Sequence, residues 1–480
     1  MLRTLERACR VELLRRIRQG SLYAVVAGLA ILVCFSVQVG ISELEVRRED
    51  YLAQLSDLAR EQVRPRLPLV GWVPEPVLRA IRRPELGSIV ARGDDMAIPA
   101  YFDFGPAGVV WARNVSSDVA QLNTGTLTDV ESIVRVLGGF LALVLGFQCI
   151  AGARALGTLK TWHALGAGAV PTVLGKLLGC WCITTAGSVV VLAAAALSAI
   201  LRLPNEPTEL SRIFIRCAVP TTLYLGCFVA IGGAFAIWAR NQAGALAGGI
   251  ALWILVAMVW PQAVALGAQM ETQGVMRARM ELQRDKAFDD EVRAGQDSLG
   301  NKVAEWLGDP TAAQAQAIVQ ERQRELDALW QTYVNSARMA AGAIEEAWRQ
   351  EHVREKRFER LAYLSPGTPL LRSFAALSET GFELAGRWSS AVDTQEGKLV
   401  QLLFDNRSQV TVRVPSRGGR QLLRMERNKG IPWHDLPEFQ TPMGTTTETW
   451  QAAARPLLAL AAFLGLAVVV VAIGAPRLVT

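Results

Sequence analysis

Six long apolar runs constrain the fold of this chain more than any other feature of its sequence. A helix needs roughly 20 apolar residues to cross a hydrocarbon core of about 30 Å. The 480-residue chain is 51% apolar and 20% charged, so the two kinds of residue must be segregated. The sequence therefore predicts six transmembrane helices, in residues 22–39, 133–150, 173–201, 213–237, 245–267 and 456–474.

The first apolar run follows a basic segment, as the core of a signal peptide would. No small-x-small cleavage site follows it, and residues 43–50 are crowded with charge instead. We therefore expect a retained anchor helix in residues 21–42, with a cleaved signal peptide as the alternative.

Basic residues in the short flanks predict the orientation, because Lys and Arg resist translocation. Residues 1–20 contain six arginines, and Arg154, Lys160 and Lys176 lie between the second and third runs without an acidic residue. Arg240 and Arg477 mark the other two junctions on that side. Both termini are therefore expected in the cytoplasm. The first outer segment (residues 43–132) and the second outer segment (residues 268–455) should lie on the other side.

These boundaries define the predicted domains. In residues 1–20, arginines are interleaved with leucines and valines, which predicts an amphipathic helix along the membrane surface. The alternative is a solvated basic face. Anionic lipid would attract the basic residues in either case. Residues 133–267 should form four transmembrane helices with a cytoplasmic loop at 153–172. Residues 456–475 form the last transmembrane helix.

The two outer segments differ in composition. Prolines and glycines break up the first, which predicts a small mixed α/β domain with short strands. The second begins with polar, almost proline-free residues and an interruption at 307–310, which predicts a long helical hairpin followed by a compact domain. The predicted coiled-coil seam of its second arm contains Leu326, Trp330, Tyr333, Ile344 and Trp348. The expected fold class is a mainly α membrane protein carrying these two outer domains.

The sequence offers no chemistry of its own. Gly175-Lys176 is followed by leucine and lacks the upstream glycine of a phosphate-binding loop. The three histidines are isolated, and no nucleophile motif occurs. We therefore predict no catalytic residue, no metal site and no cofactor in this chain. A net charge of +6 gives no reason to expect nucleic acid as a partner.

The predicted helices carry little charge at their centres, which disfavours ion-coupled transport. Lys176, Arg212 and Arg216 lie near helix ends, where we expect them to extend toward water. Energy for any movement should then come from a partner.

Residues 151–159 read AGARALGTL and are followed by Pro171 and by Gly175-Lys176. This stretch resembles the signature of type-2 ABC exporter permeases, in which Glu-Arg-Glu-x-Gly-Thr-Leu, a proline turn and Gly-Lys form the cytoplasmic loop that docks onto the ATPase. The layout is similar too, with an N-terminal interfacial helix and six membrane helices. Residues 362–366 (AYLSP) and 435–439 (DLPEF) resemble a subgroup with large insertions after the first and fifth helices.

The resemblance implies a bacterial inner-membrane permease that pairs with two ATPase subunits, which bind ATP and Mg²⁺, and with a second permease of the same or a similar kind. The resemblance is also compatible with an envelope or periplasmic partner. Where the family has two acidic residues, this chain has Ala153 and Ala155, which implies weaker coupling than in a paired permease. The implied ATPase-coupling loop contains Arg154, Gly157, Thr158, Leu159, Lys160, Trp162 and Leu165, followed by the motif residues Pro171, Gly175 and Lys176.

Helical spacing alone supports a contact surface in this loop. Leu159, Trp162 and Leu165 recur at steps of three and could insert into a groove on a partner. The alternative is an interfacial helix that rests on lipid. We therefore expect a permease subunit of an ATP-driven exporter that transmits motion to the membrane helices and outer domains. The rival hypothesis is a membrane-anchored envelope interaction or scaffold protein that acts through the outer hairpin and translocates nothing.

Overall fold

A computed structural model of the chain describes the membrane helices and part of the two outer segments. The predicted hairpin seam (Leu326, Trp330, Tyr333, Ile344 and Trp348) lies outside the described residues. The structure describes residues 1–62, 78–92, 101–105, 108–111, 129–238, 241–264, 360–381, 409–413, 422–426 and 444–478, with a few single positions between 324 and 398.

The described part of the chain is mainly helical, and six of its helices are long and apolar enough to cross a membrane, as the sequence predicts. A short helix, α1 (Leu2–Ile17), precedes them, and α4 (Thr158–Ala164) lies between the second and third. The helix α8 (Gly367–Leu377) belongs to the second outer segment. The six long helices are α2 (Gly20–Gln62), α3 (Val130–Ala155), α5 (Ala169–Arg202), α6 (Pro207–Trp238), α7 (Gln242–Val264) and α9 (Thr446–Gly474).

The first long helix extends further than its apolar run. α2 continues past residue 42, where the sequence predicts the first outer segment to begin, and ends at Gln62. The added stretch is rich in Glu, Leu, Arg and Ala, which favour helix, and contains no proline. Val37, Ile41 and Leu44 are buried against the rest of the chain, so α2 is an integral part of the bundle.

The core of the bundle is formed where α3 and α6 cross. A Cβ atom added at Gly146 would lie 2.8 Å from the Cα atom of Val229, and one added at Gly232 would lie 2.9 Å from the backbone nitrogen of Phe147. Only glycine allows two backbones to approach this closely, which is a common device in membrane helix packing.

Five short strands occur in the described parts of the outer segments. β1 (Leu78–Ile81), β2 (Tyr101–Gly105) and β3 (Gly108–Trp111) form an antiparallel sheet in that order. β4 (Gln409–Arg413) and β5 (Leu422–Glu426) form an antiparallel pair in the second outer segment.

The alternating helices give the bundle two ends. We call the end that carries α1 and residues 156–168 the loop face, and the opposite end the insertion face. At the insertion face Arg92 pairs with Glu43 and, at 3.2 Å, with Asp129. The Thr380 hydroxyl donates to the Ala91 carbonyl at 2.9 Å, which connects the second outer segment to the first.

Candidate functional site

The loop between α3 and α5 is a short helix held between two glycine turns. Gly157 before α4 and Gly166 after it have φ values of 68° and 81°, a region that glycine adopts without steric cost. The Thr158 hydroxyl donates to the Ala153 carbonyl at 2.9 Å, which fastens the start of α4 to the end of α3. The loop is therefore a defined projection of both neighbouring helices.

The apolar residues of this loop divide into two groups. Leu159 is only 5% exposed and packs α4 onto the chain itself, close to Val173 and Leu478. Leu156 and Leu165 are 68% and 81% exposed. Trp162 is half-buried, so the predicted face of Leu159, Trp162 and Leu165 does not project as one surface. The exposed apolar groups are Leu156 and Leu165.

Basic groups accompany these exposed leucines. Arg154 and Lys160 are exposed, and residues 153–170 include no acidic side chain. The two alanines at the family's acidic positions differ in their surroundings, because Ala153 is fully buried whereas Ala155 is exposed. Together these residues give the loop face a projecting surface that is apolar and positively charged.

The motif glycine Gly175 is where α1 packs against α5. A Cβ atom at Gly175 would overlap the Leu5 carbonyl oxygen and lie 2.8 Å from the Ala8 side chain. One at Gly179, a turn further along α5, would lie 2.7 Å from the Cys9 carbonyl oxygen. The glycines therefore form a groove that holds the backbone of α1. Pro171 is buried in the first turn of α5, where a proline is tolerated.

Lys176 is buried beneath α1 in an ion-pair cluster that we call the Glu12 cluster (Glu12, Arg16 and Lys176). The Lys176 ammonium donates to Glu12 Oε2 at 3.1 Å, and the Arg16 guanidinium donates to Glu12 Oε1 at 3.1 Å. Lys176 is only 4% exposed, so the expectation that it extends to water is wrong. Its partner lies 164 residues away in the sequence, on a helix that the glycine groove brings into contact.

The Glu12 carboxyl stays ionised in this cluster. Burial alone would raise its pKa, but the charges and hydrogen bonds of Lys176 and Arg16 outweigh it and hold the pKa below the ordinary value of 4.5. Glu12 and Arg16 of α1 thus face the bundle, while Val11 and Leu14 are exposed. Whereas the sequence predicts only an interfacial helix, α1 is fastened to α5 by charge.

A second buried ion pair lies near the insertion face, and the sequence interpretation missed it. The Arg135 guanidinium donates to Glu131 at 3.0 Å and to the Ala257 carbonyl of α7 at 3.0 Å. The Tyr224 hydroxyl of α6 donates to the Arg135 carbonyl at 2.8 Å. A Glu and an Arg four residues apart at the start of an apolar run were the signal available for this pair.

The two other arginines expected to extend toward water have acidic partners. Arg216 pairs with Glu379 of the second outer segment at 3.3 Å and is largely buried, so that expectation is wrong for Arg216. Arg212 is exposed and pairs with Glu209 on its own helix at 2.7 Å. Among the residues that the structure describes, no group of three or more His, Cys, Asp or Glu side chains could hold a metal ion.

Comparison with known proteins relates the chain to a transporter family and to a permease. The family model described as ABC-2 family transporter protein matches residues 12–472. The probable ABC transporter permease protein NosY of Pseudomonas aeruginosa is 25% identical to this chain over 209 residues, which cover 43% of this chain and 75% of that relative.

Proposed function

We propose, since the chain belongs to the ABC-2 transporter family, that this membrane permease subunit receives motion from a separate ATPase through residues 153–170 and passes it to the bundle and outer segments. The observation that carries the proposal is the exposed pair Leu156 and Leu165, with Arg154 and Lys160 beside them. Large apolar side chains on a projecting loop are typical of a surface that a partner covers.

The attachment of α4 suits it to transmit movement. Its first residue is bonded to the end of α3, and Leu159 packs against α5 and the chain end. A partner that displaces α4 would therefore move α3 and α5 together. Through the Glu12 cluster, α1 would follow α5. The loop thus has mechanical connections to three helices.

Membership of the family supports a proposal for the remaining parts of the assembly. ABC permeases work with ATPase partners, and we propose two ATPase subunits, which bind ATP and Mg²⁺, and a second permease of the same or a similar kind. The loop face would lie in the cytoplasm of a bacterial cell and the insertion face outside its inner membrane, in the orientation of an exporter. Because Ala153 is buried, only position 155 of the two alanine positions could present an acidic residue to the ATPase. Coupling through this subunit should therefore be weaker than through a permease with both acids.

Co-purification tests this proposal. The tagged chain, expressed in its native host, is extracted in mild detergent, and co-purifying proteins with a phosphate-binding loop are identified by peptide mass spectrometry. We expect such an ATPase with the unmodified chain and its loss from the double variant Arg154→Glu, Lys160→Glu. A matched control is Arg10→Glu, Arg18→Glu, which instead reverses one exposed charge on α1 and one directly after it.

Two results would contradict the proposal. Retention of the ATPase by the loop variant would exclude the loop as the contact. Recovery of the unmodified chain with an envelope protein but no ATPase would favour the rival hypothesis of a scaffold that acts through its outer hairpin.

A further inference from the structure

The second outer segment contacts α7 through hydrogen bonds at residues 361–367. The Trp260 indole donates to the Leu361 carbonyl at 3.0 Å. The buried Ser365 hydroxyl donates to the Val256 carbonyl and accepts the Gly367 backbone N–H at 3.1 Å. Because the Ser365 hydroxyl is both a hydrogen-bond donor and an acceptor here, it has one defined orientation. The segment therefore has a fixed position on α7.

The same segment is held at its other end by α6 and α9. Glu379 pairs with Arg216 of α6 at 3.3 Å and accepts the Thr449 hydroxyl of α9 at 3.2 Å. Between the two ends, α8 buries apolar side chains against the bundle, among them Leu370, Phe374 and Leu377. We call residues 361–380 the insertion-face latch.

The latch contacts α7 where that helix is not α-helical. Residues Ile254–Val259 are π-helical, and the carbonyls of Val256 and Ala257 lie within this stretch. A π-helical turn contains an extra residue and shifts the backbone bonding pattern, which leaves carbonyl groups to outside donors. Here the outside donors are the Ser365 hydroxyl for Val256 and the Arg135 guanidinium for Ala257.

Arg135 extends this arrangement to a third helix. It lies in the π-helical stretch Val134–Gly138 of α3, and its own carbonyl accepts the Tyr224 hydroxyl. A Cβ atom at Gly367 would lie 3.5 Å from Arg135 Cδ, so the latch also packs on this side chain. The irregular turns of α3 and α7 and the latch therefore meet at one point.

Rewinding of the π-helical stretch to a regular α-helix would break the contact between Val256 and Ser365. Moving a helix by one residue turns its far part by about 100° and shifts it by about 1.5 Å. The Val256 carbonyl would then accept the Trp260 backbone N–H within α7 and lose Ser365. Ala257 lies four residues before Pro261, which has no backbone N–H, so its carbonyl would gain no backbone donor in place of Arg135.

We propose that the insertion-face latch and the π-helical stretch of α7 form one two-state device, in which rewinding of α7 releases the latch from the bundle. This inference rests on the proposed function, for which it supplies the route by which movement of the membrane helices reaches the second outer segment. It names Ser365 as the residue whose hydroxyl connects the two parts.

Hydrogen exchange followed by mass spectrometry tests the device in the 480-residue chain, purified alone in lipid nanodiscs. For Ser365→Ala we expect faster exchange in peptides of the latch and, to a similar degree, in peptides covering residues 250–264. The increase should be on the order of five- to ten-fold, as for the loss of one net hydrogen bond. Faster exchange in the latch with unchanged exchange in α7 would overturn the proposal.

Ser373→Ala is a matched control, because the Ser373 hydroxyl is also buried but donates to Pro369 within the latch itself. It should accelerate exchange in α8 and leave α7 unchanged. Equal acceleration of α7 by this variant would contradict a connection through Ser365.

Trp260→Phe perturbs the same contact from the α7 side, because it removes the indole N–H that donates to the Leu361 carbonyl but keeps an aromatic ring. We expect it to accelerate exchange in the latch as well as in α7, and an effect confined to α7 would refute the coupling. The outcome is separable from that of the proposed function. If an ATPase co-purifies but the Ser365 and Trp260 variants do not change exchange in the latch and α7 together, only the latch proposal is rejected. If exchange in both parts changes together but no ATPase co-purifies, only the proposed function is rejected.

Discussion

Replacing Glu12 by glutamine should release α1 from α5. The substitution keeps the size of the side chain but removes the carboxylate that pairs with both the Arg16 and the Lys176 cation. Both cations are almost fully buried, so water cannot replace the lost partner. The perturbation therefore leaves two like charges facing each other beneath α1.

The magnitude follows from what each variant leaves behind. Removing one partner of a buried ion pair costs roughly 3–5 kcal/mol, and we expect Glu12→Gln to fall in this range. Lys176→Met leaves Glu12 paired with Arg16 at 3.1 Å. It should therefore cost only about 1.5–3 kcal/mol, the value of a hydrogen bond to a charged group. The double variant should cost less than the sum, because it also removes the repulsion between Lys176 and Arg16.

Hydrogen exchange of the N-terminal peptides measures this difference, since exchange of α1 amides reports its local opening. A loss of about 3 kcal/mol corresponds to roughly 150-fold more opening. The control is Arg10→Gln, which removes an exposed charge from the same helix and should leave exchange nearly unchanged. Equal effects of Glu12→Gln and Lys176→Met that add in the double variant would refute the reasoning, as would an unchanged rate in both.

Three further outcomes are expected. Gly175→Ala should destabilise the docking of α1 by about 1–3 kcal/mol, the cost of overpacking, and so accelerate hydrogen exchange in α1. Gly20→Ala has open space at its Cβ position and should leave this exchange unchanged. Gly157→Ala, at φ 68°, should cost about 1–2 kcal/mol and lower the thermal midpoint of the purified chain; no change would argue against the left-handed turn. The pKa of Glu12 is lowered in the folded state. Its contribution to α1 docking is therefore fully present above pH 4.5 and is lost as the pH falls through the folded-state pKa. Hydrogen exchange of α1, corrected for its intrinsic rate, should accelerate only below pH 4.5.

The sequence predicts the membrane helices well because each is a local pattern. An apolar run of sufficient length specifies a transmembrane helix wherever its neighbours lie. The glycine turns around α4 are equally local, and the resemblance to a family motif directs attention to Gly175 and Lys176 before their contacts are seen.

The sequence interpretation fails where a residue's role depends on a distant partner. Lys176 looks like a residue that extends to water until α1 is placed over it, and no local window connects it to Glu12. Leu159 has the spacing of an exposed contact face, yet it packs inward because α4 turns back on α5. Arg135 joins three helices, which no pattern within one helix can reveal.

Site-specific photo-crosslinking tests the central claim most directly, namely that the loop between α3 and α5 contacts the ATPase. A photoreactive residue at position 165, where Leu165 is 81% exposed, is compared with one at position 201, where Leu201 is 74% exposed at the opposite end of α5. We predict an adduct with a protein that carries a phosphate-binding loop from position 165 and none from position 201. An ATPase that co-purifies with both variants but forms no adduct from position 165 would contradict the account.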